Sequence, residues 1–318
     1  DAHGNMVRFP HLPLINWDYR DQLQATARQI VKAKQPETTY YVYDANGQRI
    51  RKVTERAAVP ADDLMGKTTT RLAERVYLGG FEIYREYKID GITPKRVRES
   101  LHIMDDKQRI AIVETRTLDT EGKDLSPERL TRYQFGNHLG SASLELDDKG
   151  QIISYEEYSP YGSTTYQAVS AQTDSSKQYR YTGKERDEES GLYYYGARYY
   201  AAWLGRWTRC DPIGVDDGSN LYQYVRSNPV NKVDVTGRQT NAAPLLNVSI
   251  GFSISFGTTG QEFGRFVESS ISLPTHNQTG IEAGVRYETY KAPSKYGLAR
   301  SAIGSNLSWY AGLGWTSG

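Results

Sequence analysis

Apolar and polar positions alternate through much of the first two thirds of the chain. YYVYDANGQRIRKVTE (40–55) and SASLELDDKGQIISYEEY (141–158) each set an alternating run on either side of a short Asp/Asn/Gly turn. A period of two sends successive side chains to opposite faces of a strand, and a turn glycine supplies the positive φ that tight reversal needs. Both segments therefore predict β-hairpins. RVYLGGFEIYREYK (75–88) has the same form around Gly79-Gly80. A D-x-x-G pattern recurs at Asp1–Gly4, Asp44–Gly47 and Asp147–Gly150. The strand-turn-strand unit thus repeats, with irregular spacing, from about residue 40 to 165.

Elsewhere the pattern weakens. DYRDQLQATARQIVKAK (18–34) predicts a short helix with poor apolar spacing, and 56–70 and 115–130 predict loops. STTYQAVSAQTDSSKQ (163–178) is the longest polar connector. It precedes a block dense in aromatic residues, Tyr179 to about Gly237, after which RQTNAAP (238–244) shifts to small and polar residues and marks a boundary. Beyond it, LLNVSIGFSISFGTTG (245–260) alternates strictly, with Val248, Ile250, Phe252, Ile254 and Phe256 on one face. The remaining segments continue as Gly-broken strands. A β-rich tail is predicted, forming a small barrel, a sheet or a membrane-inserting hairpin. It carries no phosphate loop, metal cluster or nucleophile elbow, and its polar residues His276, Glu262, Glu268, Arg265 and Arg286 form no recognisable arrangement.

Composition changes the picture in two places. Among 318 residues the formal net charge is +1, which gives no electrostatic case for nucleic acid or an acidic membrane surface. Tyrosine is abundant, at 25 residues. An apolar ring with a polar tip suits strands and half-wet surfaces, so a large sheet surface is the plain expectation. Cys210 is the single cysteine, so no internal disulfide forms. The five histidines (His3, His11, His102, His138, His276) show no metal-ligand spacing, and neither metal nor cofactor is expected. No apolar run reaches 18 residues. The chain opens on Asp1 rather than Met and reads as a piece of something longer.

YRYTGKERDEESGLYYYGARYYAAWLGRW, followed by CDPIG and NLYQYVRSNPVNKVDVTG, resembles the core-associated region of Rhs/YD-repeat proteins across about 179–237. The upstream hairpins resemble YD repeats. GNMVRFPHLPLINWDYRDQLQ (4–24) is similar to insecticidal toxin complex (Tc) B/C-type proteins. The resemblance implies a mostly β fold in three parts: a YD-repeat sheet strip of a hollow shell (1–178), a core plug (179–237) and a variable toxin-like domain (238–318). It implies that the plug is an intramolecular aspartyl protease that cuts the chain just downstream and frees the tail inside the shell. The implied partners are the rest of the shell, from upstream chain or a B-type component, and the tail as cargo. A translocation pore or secretion apparatus and an immunity protein would complete the set. Secretion or cell-surface display, with delivery to a target cell, follows from the same likeness.

Aspartyl proteolysis needs two carboxyls close enough to share one proton, one acting as base and the other as acid. Asp211-Pro-Ile-Gly214 and Asp234-Val-Thr-Gly237 supply two aspartates in matching frames. An aspartate heading a turn ordinarily caps its own backbone amides. By resemblance, Asp211 matches the catalytic Asp-Pro and Asp234 the second aspartate near the cut, with Val235 where the family has Pro. Arg198, in GARYY, is the candidate guanidinium, set against an ordinary salt bridge or stacking on tyrosine. Arg206 is the alternative arginine. Glu185, Arg186 and Asp187 read as a structural charge cluster; Asp216 and Asp217 could replace either aspartate, but GVDDGSN reads as a solvated turn, and Cys210 as no nucleophile. The cut is expected between Gly237 and about Ala243. The competing reading is a non-enzymatic cell-surface YD-repeat adhesin whose aromatics stack on sugars, which would need neither aspartate.

Overall fold

In a computed structural model, residues 1–29, 36–57, 70–105, 108–124, 126–170 and 177–243 are described in full. Beyond 243 the backbone of four strands is described. The chain divides into two compact units, Asp1–Ala243 and Pro244–Gly318.

The first unit begins with a twelve-stranded sheet whose spatial order follows the chain, every neighbouring pair antiparallel. Its strands are β1 (Leu14–Trp17), β2 (Leu23–Ala27), β3 (Thr38–Tyr43), β4 (Arg49–Glu55), β5 (Arg71–Leu78) and β6 (Phe81–Tyr87). They continue with β7 (Pro94–Asp105), β8 (Gln108–Asp119), β9 (Arg129–Gly136), β10 (Ala142–Leu146), β11 (Ile152–Tyr158) and β12 (Thr164–Val169). One turn chemistry recurs. Asp44 Oδ1 accepts the amides of Asn46 and Gln48 at 2.9 and 2.8 Å, and Asp147 Oδ1 those of Lys149 and Gln151 at 2.9 and 2.7 Å. Gly47 and Gly150 take φ of +81° and +74° at the fourth place. Asp18 and Asn137 head turns of the same kind before Gln22 and Ser141.

Three expectations are corrected. Residues 18–34 hold no helix where described: Asp18 heads a hairpin turn and Leu23–Ala27 is β2, with 30–35 outside the described residues. The predicted loop at 115–130 is strand as far as Asp119 and again from Arg129. Thr164–Val169, inside the supposed connector, is the edge strand β12, exposed along its whole length. Most of the loop predicted at 56–70 lies outside the described residues.

The aromatic block folds against this sheet as a short meander, β13 (Glu185–Arg186), β14 (Tyr193–Tyr194), β15 (Tyr199–Ala201) and β16 (Arg206–Trp207), followed by the hairpin β17 (Lys232–Asp234) and β18 (Thr240–Ala242). Its tyrosines are not a half-wet surface. Tyr181, Tyr193, Tyr195, Tyr200, Tyr224 and Trp207 are the buried core, with Tyr200 and Tyr224 ring centroids 4.2 Å apart. Their polar tips are satisfied inside: Tyr181 and Tyr200 donate to the carbonyls of Pro160 and Tyr161 at 2.8 and 2.9 Å, and the Tyr195 and Tyr224 hydroxyls pair at 3.2 Å. Buried ions join block to sheet. Arg49 on β4 reaches both oxygens of Asp187, at 3.1 and 2.9 Å, and Glu185, while Lys52 reaches Asp187 and Glu189.

In the second unit, β19 (Asn247–Thr258) pairs antiparallel with β20 (Gln261–Ile271) and β22 (Leu307–Gly314), and β20 with β21 (Ala283–Thr289).

Candidate active site

Arg198 stands just before β15, and its guanidinium is 1% exposed. One terminal nitrogen lies 2.7 Å from Asp211 Oδ2 and the other 3.2 Å from Asp234 Oδ2. Nε donates to the carbonyl of Gly237 at 2.6 Å. Its carbon lies 4.1 Å from the centre of the Trp207 ring. Residues far apart in sequence thus meet on one planar fork, whose several N–H groups suit such divided contact.

Each aspartate is fixed by its own turn. Asp211 Oδ1 accepts the amide of Ile213 at 3.1 Å, and Gly214 closes the turn at φ +71°. Asp234 ends β17, and its Oδ1 accepts three amides: Thr236 at 3.1 Å, Gly237 at 2.7 Å and Arg238 at 3.2 Å. Both aspartates therefore cap their turns, as any turn aspartate would. What separates them from Asp44 or Asp147 is the second oxygen, which in each faces buried Arg198 rather than solvent. Burial raises Asp234 above the ordinary carboxyl value, against the opposing pull of Arg198 and the three amides.

Gly237 is held tightly. At φ +73°, a Cβ there would sit 2.9 Å from the Arg198 amide nitrogen and 3.2 Å from Tyr195 Cβ. Beyond the turn the chain enters β18, with Thr240 opposite Asp234 in the ladder.

The structure brings Arg198, Asp211 and Asp234 together. Arg206 is exposed on β16, and Glu185 and Asp187 belong to the buried ion pairs with Arg49 and Lys52. Cys210 donates to the Tyr222 hydroxyl at 3.2 Å. Sequence reasoning passed over one residue and misread another. Lys184 donates to the Val235 carbonyl at 2.6 Å, and burial, with Arg109 nearby, brings it down to about 8. Asp217 is turned inward rather than solvated. Lys184 carried no signal, and the Gly/Asp/Ser run around Asp217 pointed it to solvent. Val235, Thr236 and Arg238 line a cavity of about 770 Å³ together with Lys184 and Arg209. Among the described residues, no group of His, Cys, Asp and Glu is arranged to hold a metal.

Chemically, the arrangement offers two carboxyls of unlike surroundings, a fixed cation between them and a backbone carbonyl already receiving an N–H. No family model matches the chain. It is similar to the toxin subunit YenC1 of Yersinia entomophaga, 34% identical over 99% of this chain and 32% of that protein. Its fold is similar to the TcdB2-TccC3 crystal structure, with a TM-score of 0.63 and 34% identity over 74% of this chain and 11% of that one. It is also similar to the tRNA3(Ser)-specific nuclease WapA of Bacillus spizizenii, 28% identical over 70% of this chain and 8% of that protein. The chain thus spans about a third or less of each of these proteins.

Proposed function

This chain is a homologue of Tc toxin C subunits, within the Rhs/YD-repeat family, and on that premise we propose that it closes a toxin-enclosing shell and cuts itself once. The twelve-stranded meander is a strip of the shell wall, to be completed by upstream chain or a B-type component. The block from 179 to 237 is a plug with aspartyl-protease chemistry, and the unit after the cut is the cargo. Carried inside the shell, the cargo would reach a target cell through a translocation pore or secretion apparatus.

The observation that carries the reading is Arg198, which joins both aspartates to the Gly237 carbonyl. Two carboxylates on one guanidinium leave a net charge of −1, which favours one bound proton. On this reading Asp234, whose carboxyl burial raises, is the partner that holds it. Asp211 then acts as base on water. The water oxygen bonds to a carbonyl carbon of the 237–243 segment while its proton passes to Asp211, and guanidinium N–H groups steady the oxyanion. Asp234 gives its proton to the amide nitrogen as the C–N bond breaks, leaving a carboxylate and a free amine. Tethering replaces substrate affinity, and one turnover suffices.

The test is Asp211→Asn and Asp234→Asn in the full-length chain with its shell. Wild type should run as two bands on a denaturing gel and each variant as one. A wild type that folds yet stays whole, or variants that are cut as readily, would refute the proposal.

A further inference from the structure

GVDDGSN reads from sequence as a solvated turn, yet the Asp217 side chain is only 9% exposed. Its Oδ2 accepts from the Thr240 amide at 2.9 Å and from the Thr240 hydroxyl at 2.5 Å. Its Oδ1 accepts from Arg226 Nε at 2.9 Å. Arg226 lies in an unusual backbone. Val225, Arg226 and Ser227 take φ of +42°, +53° and +56°, three consecutive non-glycine residues in the left-handed region. Such a run is unfavourable at every residue and persists only where its surroundings impose it. Here Tyr224 and Val225 are locked in the aromatic core. The strained turn delivers the arginine that orients Asp217.

Thr240 pairs with Asp234 across the β17–β18 ladder, so two carboxylates grip the two ends of one loop. Asp234 holds the amides of 236, 237 and 238, and Asp217 holds that of 240. We infer that Asp217 is a positioning residue that clamps the chain beyond the turn and makes a hydroxyl at position 240 part of what the site recognises. The inference rests on the self-cleavage reading. Fixing both ends of the loop keeps its carbonyls beside Arg198 instead of letting them swing through many orientations, which is where an intramolecular reaction gains most of its rate. Where the cut falls before Thr240, the same contact retains the new N-terminal end of the cargo.

The experiment uses the full-length chain with its shell and follows the rate of self-cutting. Thr240→Val removes the hydroxyl with little change of shape, Thr240→Ser keeps it, and Asp217→Asn removes the charge. Thr240→Val and Asp217→Asn should each slow the cut by about tenfold or more, the worth of one charge-assisted hydrogen bond, and Thr240→Ser by less than about twofold. The Asp217→Asn/Thr240→Val pair should be no slower than the slower single variant, because both remove the same contact. A wild-type rate in Thr240→Val overturns the clamp and leaves the protease reading intact. A second arm does not depend on self-cutting. In Asp211→Asn chains, trypsin cleavage after Arg238, identified by the mass of the fragment beginning at Gln239, should quicken about tenfold when Thr240→Val is added. An unchanged rate overturns the clamp. A wild type that never cuts itself overturns the role in cleavage, and the trypsin arm then decides the clamp alone.

Discussion

Replacing Arg198 with Met keeps the length and the contact with Trp207 but strands the negative charge that Asp211 and Asp234 carry between them. The guanidinium is 1% exposed, and the side chains of Asp234 and Asp211 are 1% and 7% exposed. Removing one partner of a buried ion pair costs about 3–5 kcal/mol, because the other charge stays behind unpaired. The loss of a cation stacked 4.1 Å from an indole adds about 0.5–2 kcal/mol. Protonation is the available relief, and burial already favours it at Asp234. The penalty should therefore be about 3.5–7 kcal/mol where Asp234 is ionised and shrink toward about pH 4, as Asp234 takes up its proton. Adding Asp211→Asn and Asp234→Asn to Arg198→Met should recover much of it, while Arg198→Lys, a point charge that cannot fork across both carboxylates, should fall between. Urea unfolding of the Asp1–Ala243 unit at several pH values, followed by aromatic fluorescence, measures this. An Arg198→Met chain within about 1 kcal/mol of wild type at neutral pH, as for an exposed ion pair, would refute the reasoning.

Three more outcomes are expected. Gly237→Ala should abolish the cut and lower stability by about 1–3 kcal/mol, since its Cβ would meet the Arg198 backbone at 2.9 Å in a left-handed conformation; denaturation and a gel read both. The self-cutting rate should fall as pH rises through the raised titration of Asp234, the protonated partner on this reading. Folding takes up a proton there, so the group's contribution to stability likewise falls as pH climbs from about 4; rates and unfolding midpoints between about pH 4 and 8 check both, and a flat rate profile would count against the assignment. Arg49→Met should loosen the plug from the sheet by about 3–5 kcal/mol, as Asp187 and Glu185 lose their buried partner, with hydrogen exchange at β13–β15 rising first.

The hairpins at 40–55, 75–88 and 141–158 were legible because alternation and Asp/Gly turns are local properties. The first hairpin was not, because Asp21 occupies the place where the turn elsewhere has glycine, at φ +58°, and LQATA alternates small with polar residues. β12 was hidden for a related reason: an edge strand exposed on both faces carries no apolar period. The tyrosines misled through composition, since burial depends on whether each hydroxyl finds a carbonyl, and Pro160 and Tyr161 lie far from Tyr181 and Tyr200 in sequence. At the site, resemblance pointed to Asp211 and Asp234, and the chemistry of a guanidinium beside two carboxyls pointed to Arg198. The Gly237 carbonyl on Nε, and the Asp217–Thr240 contact across 23 residues, arise only when three separate turns fold together.

Intact mass of the purified full-length chain with its shell tests the central claim most directly. The account predicts two masses summing to the whole chain plus one water, with the smaller fragment beginning between residues 238 and 243. A single mass for the entire chain, from folded protein, would contradict it.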